Sequence, residues 1–215
     1  AEPVRVVADE WRVGDEHVGP EGTRFTVAAG ATRATLTTAL VGRHQADNAG
    51  VALMMLDAAG PPYAMTFDEA RPALANVRLA GRFERHGRYV FDVAHNPDGA
   101  AVLAETLRAV VPTRPVAAVL AVLADKDWRG MIDALAPAVD RFVLTVAPTA
   151  PESRLWEPAD ALAFAEGRGL RATLERDFAR AIGPAVEDAA TVVVTGSFHT
   201  VGDALALLQR SPLPR

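Results

Sequence analysis

The sequence has no cysteine, which excludes disulfides, thiolate catalysis and cysteine-ligated zinc and fits a cytoplasmic location. No apolar run reaches the ~18 residues that a membrane-spanning helix needs. Residues 1–15 lack the basic-then-apolar order of a secretory signal, so no membrane partner is expected. Positive charge is also short: 22 Lys and Arg stand against 27 Asp and Glu, a formal charge of −5. That argues against nucleic acid as a partner, because phosphate backbones select basic faces. Three motifs are missing as well. There is no Gly-x-x-x-x-Gly-Lys-Ser/Thr phosphate loop. No Gly-x-Gly-x-x-Gly follows the first strand of the second half, where Asp92 to Asp98 stands instead. No Gly-x-Ser-x-Gly elbow surrounds Ser197, which lies between Thr195-Gly196 and Phe198. A hydrolase built on Ser197 and His95 therefore carries little weight.

What is present is the material of a folded chain. Half of the 215 residues are hydrophobic, and a chain of this length buries roughly two-thirds of its extended surface. Residues 4–7, 24–27 and 34–38 read as short strands, with glycines at 14, 19, 22 and 30 as turns. The Ala/Leu/Met-rich run 45–59 predicts a helix, stopped by Gly60-Pro61-Pro62. A second helix is predicted over 66–73, with Thr66 and Glu69 as a capping box. From residue 88 the rhythm changes. Near-continuous apolar runs at 89–93, 116–123, 142–146 and 192–194, with a weaker one at 171–174, read as strands covered on both faces. Helical stretches at 97–110, 128–138, 158–167, 178–187 and 199–209 separate them. This alternation predicts an α/β fold with a Rossmann-like, mostly parallel, doubly wound sheet. The expected organisation is a leading segment of short strands and a helix at 1–74, a linker at 75–87 and the Rossmann-like domain at 88–215. The chain reads as strand from its first residues, as expected of a piece cut from something longer.

In open α/β sheets ligands bind beyond the carboxyl ends of the strands. The strand ends here carry Asp92 with His95-Asn96-Pro97, then Asp125-Lys126-Asp127, then Thr195-Gly196-Ser197-Phe198-His199. An acid, an imidazole, an ammonium and a hydroxyl are thus expected on one rim. Each has a structural alternative. Asn96 and Ser197 suit helix caps, Asp92 suits an acceptor of loop amides, Lys126 suits a salt-bridged turn, and His199 suits the surface of a helix start.

Four segments resemble the folylpolyglutamate synthase and dihydrofolate synthase branch of the Mur ligase superfamily. They are Leu40-Val41-Gly42-Arg43-His44-Gln45-Ala46-Asp47-Asn48-Ala49; Gly81-Arg82-Phe83-Glu84 followed by Phe91-Asp92-Val93-Ala94-His95-Asn96-Pro97; Leu123-Ala124-Asp125-Lys126-Asp127; and Val194-Thr195-Gly196-Ser197. The second is the most specific. The resemblance covers about residues 35–208, with Phe198 in place of the more usual leucine. It implies an ATP-dependent ligase that activates a folate or dihydropteroate carboxylate as an acyl phosphate for attack by the amino group of glutamate. It implies nucleotide contacts from His44, Gln45, Asn48, Arg82 and Asp92, with Asn48 at the adenine, Arg82 at the phosphates and Asp92 near the ribose. It implies catalytic roles for His95, Ser197 and Lys126 around the glutamate and the reacting carboxylate. ATP and Mg2+ are the implied cofactors. The magnesium ligands, the phosphate loop and a modified lysine belong to a part that would precede Ala1. The chain is therefore expected to be the last half of such an enzyme, holding no metal ligand and inactive alone. A peptidoglycan-precursor Mur ligase fragment, and a ligase-derived binding module without catalysis, are the alternative readings.

Overall fold

The computed structural model describes residues 10–110 and 112–209, so the strand expected at 4–7 lies outside the described residues. The chain divides after Leu79 into two compact units.

The first unit is an antiparallel meander with two helices. Strands β1 (Trp11–Gly19), β2 (Gly22–Ala29) and β3 (Thr32–Thr38) pair in sequence order. Gly19 and Gly22 flank the β1–β2 turn as expected, whereas Gly14, also expected at a turn, lies inside β1. The reason is a bulge: the β1–β2 register slips between Gly14 and His17, and Asp15 takes a left-handed φ of 53°. Its carboxylate is held there by Thr26 Oγ1 and Arg33 Nη2, each at 2.9 Å. The inner face of the sheet carries Phe25, Val27 and Leu36, packed with Ala46, Ala49, Leu53 and Met54 of α1 (His44–Ala59). That spacing keeps one stripe of the helix on the sheet. Helix α2 (Phe67–Asn76) begins at the expected capping box. Thr66 Oγ1 accepts from the Glu69 amide, and the Glu69 carboxylate accepts from the Thr66 amide.

The second unit is a six-stranded sheet in the order β4-β5-β9-β6-β7-β8. The strands are β4 (Glu84–His86), β5 (Tyr89–Asp92), β6 (Val116–Leu120), β7 (Arg141–Leu144), β8 (Ala172–Leu174) and β9 (Thr191–Thr195). Only β4 runs antiparallel. It lies within the linker expected at 75–87, because its three polar residues carry no apolar run that would mark a strand of the domain. The helices are α3 (Pro97–Val110), α4 (Trp128–Leu135), α5 (Pro158–Gly167), α6 (Phe178–Ile182) and α7 (Phe198–Leu207). The helix expected over 178–187 is split. Gly183-Pro184 removes an amide donor, so α6 gives way to a 3-10 turn, Pro184–Val186. The strand expected to continue to Leu123 stops at Leu120, where the chain turns into a loop over 121–127.

One face of the sheet packs Phe91, Val119, Val143 and Val194 against Phe178, Ile182, Val201 and Leu205 of α6 and α7. By strand alternation the other face carries Val90, Ala118, Leu120, Phe142 and Val193, which are equally buried. The mostly parallel, two-sided α/β architecture is the one read from the sequence.

The order of strands places the ends of β5, β9 and β6 side by side, with Asp92 opposite Thr195 and Thr195 opposite Leu120. The loops leaving them are stitched together. Gly196 N–H donates to the Ala94 carbonyl at 3.1 Å, Ala121 N–H donates to the Thr195 carbonyl at 3.3 Å, and Thr200 Oγ1 donates to the Ala121 carbonyl at 2.7 Å. Gly196 has a φ of 115°, and a Cβ there would sit 2.3 Å from the Ala121 oxygen. Gly196→Ala therefore meets both backbone strain and a main-chain clash. It is expected to lower the unfolding free energy by about 1–3 kcal/mol, measured by urea denaturation.

Candidate functional site

The stitched loops enclose one side of a cleft of about 250 Å³, lined by His95, Leu123, Lys126, Arg154, Gly196, Ser197, Phe198 and His199. Three of the side chains singled out in the sequence, His95, Lys126 and Ser197, come together there. Asp92 and Arg82 do not line it. Arg154 does, although the sequence offered no signal for it.

His95 is half-buried at the end of the β5 loop. Its Nδ1 lies 3.0 Å from the Val93 carbonyl, and since a carbonyl only accepts, Nδ1 carries the proton. The neutral ring therefore keeps a lone pair on Nε2. The ring rests against Phe198 at 5.9 Å between centroids.

Ser197 is buried and caps α7. Its Oγ accepts from the Thr200 amide at 3.1 Å and sits 2.7 Å from Thr200 Oγ1. The Thr200 proton is committed to Ala121, so Ser197 donates to Thr200. The hydroxyl is left with a single spare lone pair and no proton to give. Asn96 likewise caps, its Oδ1 accepting from the Gly99 amide at 2.8 Å.

Lys126 and Arg154 converge on Asp125. Lys126 Nζ lies 3.3 Å from Asp125 Oδ2, and Arg154 grips both carboxylate oxygens through Nε and Nη2. The Arg154 hydrogen bonds hold the Asp125 carboxyl below the usual carboxylate range, helped by Lys126. Arg154 arrives on a 3-10 turn, Glu152–Arg154, beyond β7. Its own carbonyl accepts from Ala124 N–H at 2.9 Å, and a bridge joins Leu123 to Leu155. His199, also in the lining, brings its Nδ1 within 3.0 Å of Thr149 Oγ1.

Asp92 takes a different part. Its carboxylate accepts from the Phe83 amide at 3.0 Å and the Ala94 amide at 2.9 Å. Burial pushes its pKa up, against the pull of those two amides and of Arg82. Arg82 is exposed, with its guanidinium 6.0 Å from the centre of the Phe198 ring.

In the first unit, His44, Gln45 and Asn48 share the opening turn of α1. Asn48 Nδ2 donates to Gln45 Oε1 at 3.1 Å, and Gln45 Nε2 lies 2.8 Å from His44 Nε2. An amide nitrogen only donates, so His44 Nε2 is the acceptor. Gln45 is buried and Asn48 exposed. The approach to this turn is fixed by Thr23, whose Oγ1 accepts from the Gly42 amide at 3.0 Å. Among the described residues no group of three or more His, Asp or Glu gathers as a metal site.

Residues 81–198 match the family model "Mur ligase, glutamate ligase domain". The chain is 36% identical over 194 residues to a dihydrofolate synthase/folylpolyglutamate synthase of Mycobacterium tuberculosis, covering 80% of this chain and 40% of that protein. Its structure resembles the M. tuberculosis folylpolyglutamate synthase complexed with ADP, at 32% identity and a TM-score of 0.81, over 95% of this chain and 49% of that one. It also resembles the Yersinia pestis bifunctional enzyme of the same name complexed with AMPPNP and Mn ion, at 28% identity and a TM-score of 0.74, over 93% and 46% of the two chains. The chain thus spans less than half the length of each of these three relatives.

Asp125 and Asp92 should titrate on opposite sides of an ordinary aspartate, as read by carboxyl 13C shifts: Asp125 below it and Asp92 above it. By linkage, the Asp125 pairing stabilises the fold above the unfolded-state pKa and is lost as pH falls through the lowered one. Asp92 runs the other way: between its unfolded and raised values, rising pH costs stability.

Proposed function

The chain belongs to the Mur ligase family through its glutamate ligase domain, and on that premise we propose that its cleft receives the glutamate that an ATP-dependent ligase joins to a folate or dihydropteroate carboxylate. The observation that carries this reading is the charge of the cleft. Lys126 and Arg154 line it and, among the described residues, no carboxylate does, in a chain whose formal charge is −5. A dicarboxylate with one amino group fits such a lining.

The chemistry follows from the groups present. Lys126 draws a carboxylate of the incoming amino acid and offsets the charge that develops as the acyl carbon becomes tetrahedral. His95, with its lone pair at Nε2, takes a proton from the substrate ammonium and frees the amine. The amine nitrogen then bonds to the acyl carbon, the bond from that carbon to the phosphate oxygen breaks, and phosphate departs with its electron pair, taking up the second proton that the nitrogen sheds as the amide forms. Ser197 contributes by placement. It fixes the first turn of α7, whose amides favour an anion at that end, and offers its one lone pair. On the first unit, the exposed amide of Asn48 would meet the purine edge, with Gln45 and His44 setting its orientation. Arg82 would meet phosphate oxygens. Asp92, whose two oxygens receive loop amides, would act on the nucleotide through the shape of residues 83–94. No step is assigned to magnesium, since no ligand set for it gathers among the described residues. With no phosphate loop in these 215 residues, the chain by itself binds substrates without turning them over.

Calorimetric titration of L-glutamate into the chain is expected to give saturable binding. Lys126→Ala should weaken it about tenfold or more, as loss of a charged hydrogen bond worth about 1.5–3 kcal/mol predicts. Absence of glutamate binding at millimolar concentration would overturn the reading. A parallel ATP titration should show weaker binding in Asn48→Ala than in the wild type.

A further inference from the structure

The cleft holds more cationic capacity than one carboxylate consumes. Arg154 spends Nε on Asp125 Oδ1 at 3.0 Å and Nη2 on Oδ1 and Oδ2 at 2.7 and 2.9 Å. Among the described residues nothing partners its Nη1. Lys126 approaches the same carboxylate at 3.3 Å, which leaves two of its three protons to give. Two cations sharing one acid carry a net positive charge. Asp125 itself does not line the cleft, whereas both cations do.

Resting on the glutamate reading above, we propose that Arg154 is the residue that selects a second carboxylate on the incoming amino acid. Lys126 serves the carboxylate common to all amino acids. Arg154, already oriented by Asp125, offers the Nη1 donors to the side-chain carboxylate. A guanidinium fixed on one side by a bidentate partner loses little freedom on binding another anion, and its planar fork discriminates by geometry as well as charge. A side-chain amide in the same place brings no charge and turns one N–H group toward those donors. The chemical class selected is therefore an acidic amino acid over its amide.

The main chain around Arg154 does not depend on its side chain. Arg154 N–H donates to the Pro151 carbonyl at 2.8 Å, its carbonyl accepts from Ala124, and the bridge to Leu123 is made by Leu155. The side chain is 43% exposed. Replacing it removes the guanidinium and leaves the turn.

The experiment compares glutamate and glutamine by calorimetry on the wild-type chain and on Arg154→Gln, Arg154→Lys and Lys126→Gln, with unfolding midpoints as the check on folding. The wild type is expected to prefer glutamate on the order of tenfold or more. Arg154→Gln should bring the two affinities to within about twofold, by loss of glutamate affinity with glutamine affinity held. Arg154→Lys should fall between, and it reads the same ratio if the glutamine variant does not fold. Lys126→Gln should weaken both ligands alike and keep the ratio. A wild-type ratio retained in Arg154→Gln overturns the proposal. So does an equal loss of both ligands, which would make Arg154 a brace for the Asp125 turn. A wild-type chain that binds neither ligand defeats the glutamate reading itself and this inference with it, whereas tight glutamate binding with an unmoved ratio defeats the inference alone.

Discussion

The close approach of the β9 loop to the β6 loop is the constraint on which the second unit's chemistry rests. Three parallel strands end side by side, and their main chains touch because residue 196 has no side chain to hold them apart. From that approach follow the Gly196–Ala94 and Ala121–Thr195 hydrogen bonds. The burial of Ser197 and the anchoring of Thr200 on Ala121 depend on it too. An imidazole from one loop, an ammonium from the second and a helix start from the third then face a common space. The sheet supplies the precision and the loops the functional groups, which is why ordinary polar residues gather at its edge.

Electrostatics in this unit are local. The chain is acidic overall, yet the cleft is lined by cations because their counter-ion, Asp125, stands outside the lining. The arrangement costs little, since Asp125, Lys126 and Arg154 all keep access to water and no bare charge is buried. Asp92, deeper in the structure, shows the opposite balance. Two amides reach it and burial still pushes its pKa up. Its geometry is that of a group holding residues 83 and 94 in place.

The parts that could be read in the sequence are those whose physics is local. Buried parallel strands announce themselves as apolar runs, and the rule that ligands gather at strand ends led to His95, Lys126 and Ser197. The Thr66–Glu69 cap was legible for the same reason. What stayed hidden depends on distant partners. Arg154 comes from a loop after β7 whose path is set by a bridge to Leu123, and nothing in 145–157 alone marks it. The bulge that lets β1 run through Gly14 is fixed by Thr26 and Arg33, so that glycine imitates a turn. The hydroxyl of Ser197 reads as free in the sequence, but Thr200 takes its proton and one of its two lone pairs.

The two border strands of the larger sheet, β4 and β8, are each only three residues long. A short rim offers few unpaired amides and carbonyls, so another chain finds little template to extend. The interior strands, with their unbroken valine and alanine runs, are the segments that would polymerise most readily if uncovered. Lengthening either border by a few alternating apolar residues would give an otherwise correctly folded chain a template for self-association.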